Sequence, residues 1–143
     1  MLDGRILAVD FGSRRVGLAI SDRSRTLARP LETIAVGGGA DAVDRVARRI
    51  AELAAEEDGV AAIVVGLPAR LDGTASDATR TVLTFIESLR ARTPLPVVTE
   101  DERLSSHEAE SRLAASEPDW RRRKARLDAA AAAVFLQDYL DKL

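Results

Sequence analysis

Asp10 closes the apolar run Ile6-Leu7-Ala8-Val9. A carboxylate at the end of a strand buried on both faces has to be paired, hydrated or bound to a cation. Two further sets of acids stand at comparable places. Glu100-Asp101-Glu102 follows the run Pro94-Leu95-Pro96-Val97-Val98-Thr99. Asp128 falls in the first turn of a C-terminal helical stretch, sharing a helix face with Ala131, Ala132 and Phe135. Carboxylates that converge from such places suit Mg²⁺ or Mn²⁺, which take oxygen ligands and keep some of their water. Two such ions about 4 Å apart activate a water and stabilise the leaving oxygen of a phosphodiester. That chemistry needs neither cysteine nor a histidine pair. The chain has no cysteine and one histidine, His107, which reads as a solvated helix residue.

Taken singly, each acid has an ordinary explanation. Asp10 can be a turn former, the triplet can be loop acids paired to Arg103, and Asp128 can complement a helix dipole. Taken together, they lie at three ends that a mixed sheet with a helix packed across it can gather into one cleft.

The elements that would position them read as follows. Residues 5–10 form a first strand. Gly12-Ser13-Arg14-Arg15 is a turn, and Val16, Leu18 and Ile20 alternate as a second strand. Residues 25–36 are extended, with Pro30 demanding an edge or a bulge. The short connection between the second and third strands favours an antiparallel meander. Gly37-Gly38-Gly39 is a break, not a phosphate loop, for no Lys-Ser/Thr pair follows it. A helix is expected over 40–58, a parallel strand over 60–65, and a second helix from about Thr74 to Arg92. The fifth strand ends at Thr99. A helix follows it through Leu113, then a loop carrying Trp120 and the run Arg121-Arg122-Arg123-Lys124-Ala125-Arg126, then a helix over 126–140. The fold class is α/β: three antiparallel strands, then parallel additions, in a five-stranded mixed sheet flanked by helices.

The 143 residues fit one domain, 1–143, with a core of ordinary size. The net charge of −2 gives no overall field for nucleic acid, so any such contact must be local. No run has the length of a membrane span, and the first strand starts too early for a signal peptide, so a cytoplasmic location is expected. The absence of cysteine excludes a disulfide framework, a zinc–thiolate site and a cysteine nucleophile.

Four stretches carry a family resemblance. They are Asp10-Phe11-Gly12-Ser13-Arg14-Arg15-Val16-Gly17, Val64-Val65-Gly66-Leu67-Pro68 with Asp72-Gly73-Thr74, Asp101-Glu102-Arg103-Leu104-Ser105-Ser106, and Arg126-Leu127-Asp128-Ala129-Ala130-Ala131. In order and over nearly the whole chain, they resemble the YqgF/RuvX family of pre-16S rRNA nucleases and Holliday-junction resolvase homologues. The resemblance implies a ribonuclease-H-like fold and a cytoplasmic, metal-dependent nuclease that processes the 5′ end of pre-16S rRNA. It implies an acidic site of Asp10, Glu102 and Asp128, with Asp101 competing with Glu102 and Glu100 as an accidental extra acid. Mg²⁺ or Mn²⁺ at a two-metal site is the implied cofactor.

Arg14, Arg15, Arg103, Arg122, Arg123, Lys124 and Arg126 are the candidates for phosphate contacts, and Trp120 for stacking on a base. The partner would be structured RNA or a DNA junction. A resolvase acting on four-way DNA keeps the chemistry and adds a symmetric homodimer. A non-catalytic RNA-binding or ribosome-associated module is a further alternative. Asp10-Phe11-Gly12 before a hairpin also resembles the phosphate loop of actin-like sugar kinases and ATPases, but those need a second lobe that 143 residues cannot supply.

Overall fold

A computed structural model describes residues 4–68, 77–101 and 120–143, with the backbone alone over 120–126. Its strands are β1 (Arg5–Phe11), β2 (Arg15–Ser21), β3 (Ala28–Ala35), β4 (Val60–Leu67) and β5 (Val97–Asp101). The helices among the described residues are α1 (Gly39–Ala54), α2 (Asp77–Arg90) and α3 (Trp120–Asp141). The strands form one sheet in the order β3-β2-β1-β4-β5. β2 pairs antiparallel with β1 and β3; β4 pairs parallel with β1 and β5. This is the expected mixed sheet, with β1 at its centre.

β1 is apolar on consecutive residues because both of its faces are covered. Leu7 and Val9 join Val16, Leu18, Ile63 and Val65 against α1 and α2. Ile6 and Ala8 point the other way, with Ala19 and Val64, against Ala132, Phe135, Leu136 and Leu140 of α3. Ala8 and Ala19 on this face are small, which leaves room for the helix to lie close to the sheet at their level. By the same alternation Asp10 belongs to the α3 face and Phe11 to the α2 face, where it stacks on Phe85 with ring centroids 4.5 Å apart.

Pro30 satisfies both of its expectations. β3 is an edge strand, and the pairing slips there: Leu18 opposes Glu32 while Ala19 opposes Pro30, which leaves Leu31 as a bulge. The end of β1 opposite Asp10 is fixed by Arg5. Its guanidinium donates to the carbonyls of Gly59 at 3.0 Å and Leu53 at 3.3 Å and pairs with Glu56 at 2.8 Å, tying the end of α1 to the start of β1.

Two expectations are corrected. The basic run Arg121 to Arg126 is not a loop, for the backbone is helical from Trp120. The run contains only good helix formers and no glycine or proline, so nothing stops the helix from starting there. β5 does not end at Thr99 but continues through Asp101, so two of the three consecutive acids are strand residues. The start expected for the second helix at Thr74 and the helix expected through Leu113 lie outside the described residues.

Candidate active site

Asp10 pairs in register with Gly17 of β2, so the two share the α3 face. α3 crosses the sheet at that point. A Cβ on Gly17 would fall 2.2 Å from the carbonyl carbon of Asp128, 2.3 Å from its oxygen and 2.6 Å from the nitrogen of Ala129. Only a residue without a side chain lets the helix backbone come this near. Directly opposed residues of an antiparallel pair are about 5 Å apart at Cα. The close approach at Gly17 therefore brings Asp128 beside Asp10, although the two are distant in sequence. On the other side of Asp10, Gly66 follows Val65, the β4 partner of Val9, and pairs with Glu100 of β5. Asp10 thus stands between two glycines.

The Asp128 side chain is 28% exposed and its Oδ2 lies 3.2 Å from Arg15 Nε. Burial pushes its carboxyl above the ordinary value, and the Arg15 charge works in the opposite direction. A partly desolvated carboxylate of this kind gains from a cation close by, and here the guanidinium supplies one. Arg15 reaches it from the β1–β2 hairpin. The turn is tight at Gly12, where a Cβ would fall 2.5 Å from the Arg15 carbonyl oxygen. Its tip is tied to the end of β3, since Val36 N–H donates to the Arg14 carbonyl at 2.9 Å. Gly12, Ser13, Arg14, Arg15 and Asp128 line a cleft of about 260 Å³, with the arginines exposed to solvent.

The acidic triplet does not arrive as a unit. Val97 packs in the α1–α2 core and Val98 against α3, so Glu100 shares the face of Asp10 and Asp101 takes the opposite one. Glu100 is 11% exposed at its side chain and accepts from Lys142 Nζ at 2.7 Å; Asp101 N–H donates to it at 3.2 Å. Asp101 is exposed. Among the described residues no group of three acids or histidines is placed to hold a metal ion. Glu102, Arg103 and His107 lie outside the described residues. The backbone puts Arg122, Arg123, Lys124 and Arg126 in the opening turns of α3, directly before Asp128, while their side chains and that of Trp120 lie outside the description.

The RuvX family model, described as a Holliday junction resolvase, matches residues 4–142. The chain belongs to the RuvX family. Curated relatives bear the name "Putative pre-16S rRNA nuclease". One from Anaeromyxobacter dehalogenans (strain 2CP-C) is 44% identical over 138 residues, 96% of this chain and 97% of that protein. Another, from Roseiflexus sp. (strain RS-1), is 37% identical over 138 residues, 96% of this chain and 94% of that protein. Among solved structures, T. thermophilus RuvC in complex with a Holliday junction substrate superposes with a TM-score of 0.54 at 16% identity, covering 97% of this chain and 94% of that one. The RuvX chain therefore has the ribonuclease-H-like fold expected of it. No helix among its described residues is long and apolar enough to cross a membrane.

Gly17 is the residue of structural consequence at this site that the strand pattern conceals. It lies inside β2, and a glycine in a strand is itself a signal of close backbone approach.

Proposed function

We propose that this protein is a metal-dependent endonuclease that hydrolyses phosphodiester bonds and matures the 5′ end of pre-16S rRNA in the cytoplasm. The observation that carries the reading is the seating of Asp128 on Gly17, in register with Asp10 and beside the Arg14–Arg15 hairpin. The relatives' names supply the substrate, and membership of the RuvX family supplies the class of reaction.

The donor set fits Mg²⁺ or Mn²⁺. Its atoms are carboxylate oxygens, the chain has no thiol, and the half-buried Asp128 already draws a positive charge to itself. Asp10 and Asp128 would hold the ions, with Glu102 as the third acid. Asp101 is the weaker choice because it stands on the opposite face of β5. When bound, a pair of such ions lowers the pKa of an attacking water and stabilises the leaving oxygen. The remaining work falls to the chain. Arg14 and Arg15 hold the phosphate beside the carboxylates, and Arg103, Arg122, Arg123, Lys124 and Arg126 are the further candidates for phosphate contacts by their charge.

Asp10→Asn tests the reading. The variant is expected to keep its fold by circular dichroism and to lose at least about 100-fold in Mn²⁺-dependent cleavage. Undiminished cleavage would refute the metal site and leave a binding module on the same fold.

A resolvase acting on four-way DNA, working as a homodimer, is favoured by the description of the family model. Symmetric nicking of junction DNA, with no trimming of precursor rRNA, would replace the first reading by this one.

A further inference from the structure

The β1–β2 hairpin has a second concavity on its other side. Phe11, Gly12, Ser13, Pro68, Thr81 and Val82 line a groove of about 380 Å³ against α2. Gly12 and Ser13 are shared with the basic cleft, so the hairpin tip is a ridge between the two. The ridge is low at Gly12, which bears no side chain and could not carry one against the Arg15 carbonyl.

The chemistry of the two sides differs. The cleft presents Arg14 and Arg15, whereas among the described residues no charged side chain lines the groove. Its walls are an aromatic ring, a proline and a valine, with the hydroxyls of Ser13 and Thr81 as polar groups. They are braced: Phe11 stacks on Phe85 at 4.5 Å and 24°, and the Thr79 hydroxyl donates to the Pro68 carbonyl. An apolar concavity of this size with a few polar groups suits a neutral planar ring and disfavours a phosphate.

We propose that this groove receives one unpaired nucleobase of the substrate strand, adjacent to the phosphate held over Arg14 and Arg15. The inference rests on the nuclease reading and narrows its substrate to a strand unpaired next to the cleaved bond. A base inside a duplex cannot leave its stack to enter such a groove without the cost of unpairing. The continuity of the groove with the basic cleft through Gly12 and Ser13 is what assigns it to a strand and not to a free nucleotide.

The test reads binding, not cleavage. Fluorescence anisotropy in EDTA at low salt compares a labelled single-stranded RNA with the same RNA carrying one abasic site at successive positions. The wild type is expected to lose about tenfold in affinity at one position. Ala78→Trp, on the exposed first turn of α2 and also lining the groove, is expected to bind the intact RNA about tenfold more weakly and to show no abasic penalty. Thr81→Leu provides a second variant if the first does not fold. The proposal is overturned if no abasic position weakens wild-type binding, if both variants keep the penalty, if duplex RNA binds as tightly as single-stranded, or if free adenosine monophosphate competes at concentrations equal to the RNA. Asp10→Asn is expected to keep the abasic penalty, so a failed groove and a failed catalytic site give different results.

Discussion

The carbonyl of Asp128 rests on the bare Cα of Gly17, 2.3 Å from where a Cβ would stand. This contact sets how far the helix bearing one acid can approach the strand pair bearing the other. Gly17→Ala therefore has no rotamer that relieves it, since the obstructing atoms are backbone. We expect α3 to shift, stability to fall by about 1–3 kcal/mol in urea titrations, and cleavage per folded molecule to fall by about 100-fold. A Gly17→Ala protein that melts and cuts like wild type would show that the helix does not need this seat.

Arg14 is exposed at the ridge and lines the basic cleft, and Arg15 is in addition paired with Asp128. Arg14→Gln is the cleaner probe of a phosphate contact for that reason. Plotted as log K against log salt, single-strand binding should lose about 0.7 from the magnitude of its slope for one lost contact. An unchanged slope would place the phosphates elsewhere.

The β2–β3 turn carries an acid-sensitive lock. Asp22 accepts from the Ser24 hydroxyl and from the N–H groups of Leu27 at 2.9 Å and Thr26 at 2.8 Å, which together hold its pKa at about 2. Because the folded value lies below the ordinary 3.8, the carboxylate contributes stability above pH 3.8 that is lost as the pH falls toward 2. Melting temperatures recorded between pH 5 and 2 should fall less steeply for Asp22→Asn than for the wild type. Parallel curves would remove Asp22 from the acid transition.

Arg5 is buried far from the cleft, and its loss should separate stability from activity. Arg5→Ala leaves the Leu53 and Gly59 carbonyls without the guanidinium. A loss of about 2–3 kcal/mol is expected in denaturant titrations, with cleavage per folded molecule unchanged. A large fall in specific activity would mean that the start of β1 is coupled to its far end.

Most of the sheet was legible because β1 and β4 are short apolar runs and β2 alternates in the simple pattern, and because Pro30 admits only an edge or a bulge. Asp10 and Asp128 were legible as charges at places that burial would otherwise forbid. The start of α3 was not, since a run of basic residues reads equally as a solvated loop and as a helix of good formers. Adjacent acids at a strand end point in different directions, but the sequence does not say which one faces the site. With β5 continuing through Asp101, Glu100 takes the face of Asp10 and Asp101 the opposite one. Gly17 was visible in a family motif, but its physical role needed the third dimension, because the atoms it makes room for come from α3.

That long separation in sequence has a consequence during synthesis. β1 and β2 are made early and can pair at once, yet the face bearing Asp10 stays open to water until α3 has emerged and settled on Gly17. A nascent chain therefore has the hairpin and Asp10 before it has Asp128 beside them. The cleft between the hairpin and Asp128 is complete only once the last helix has docked, so the order of synthesis leaves its closing wall until the end.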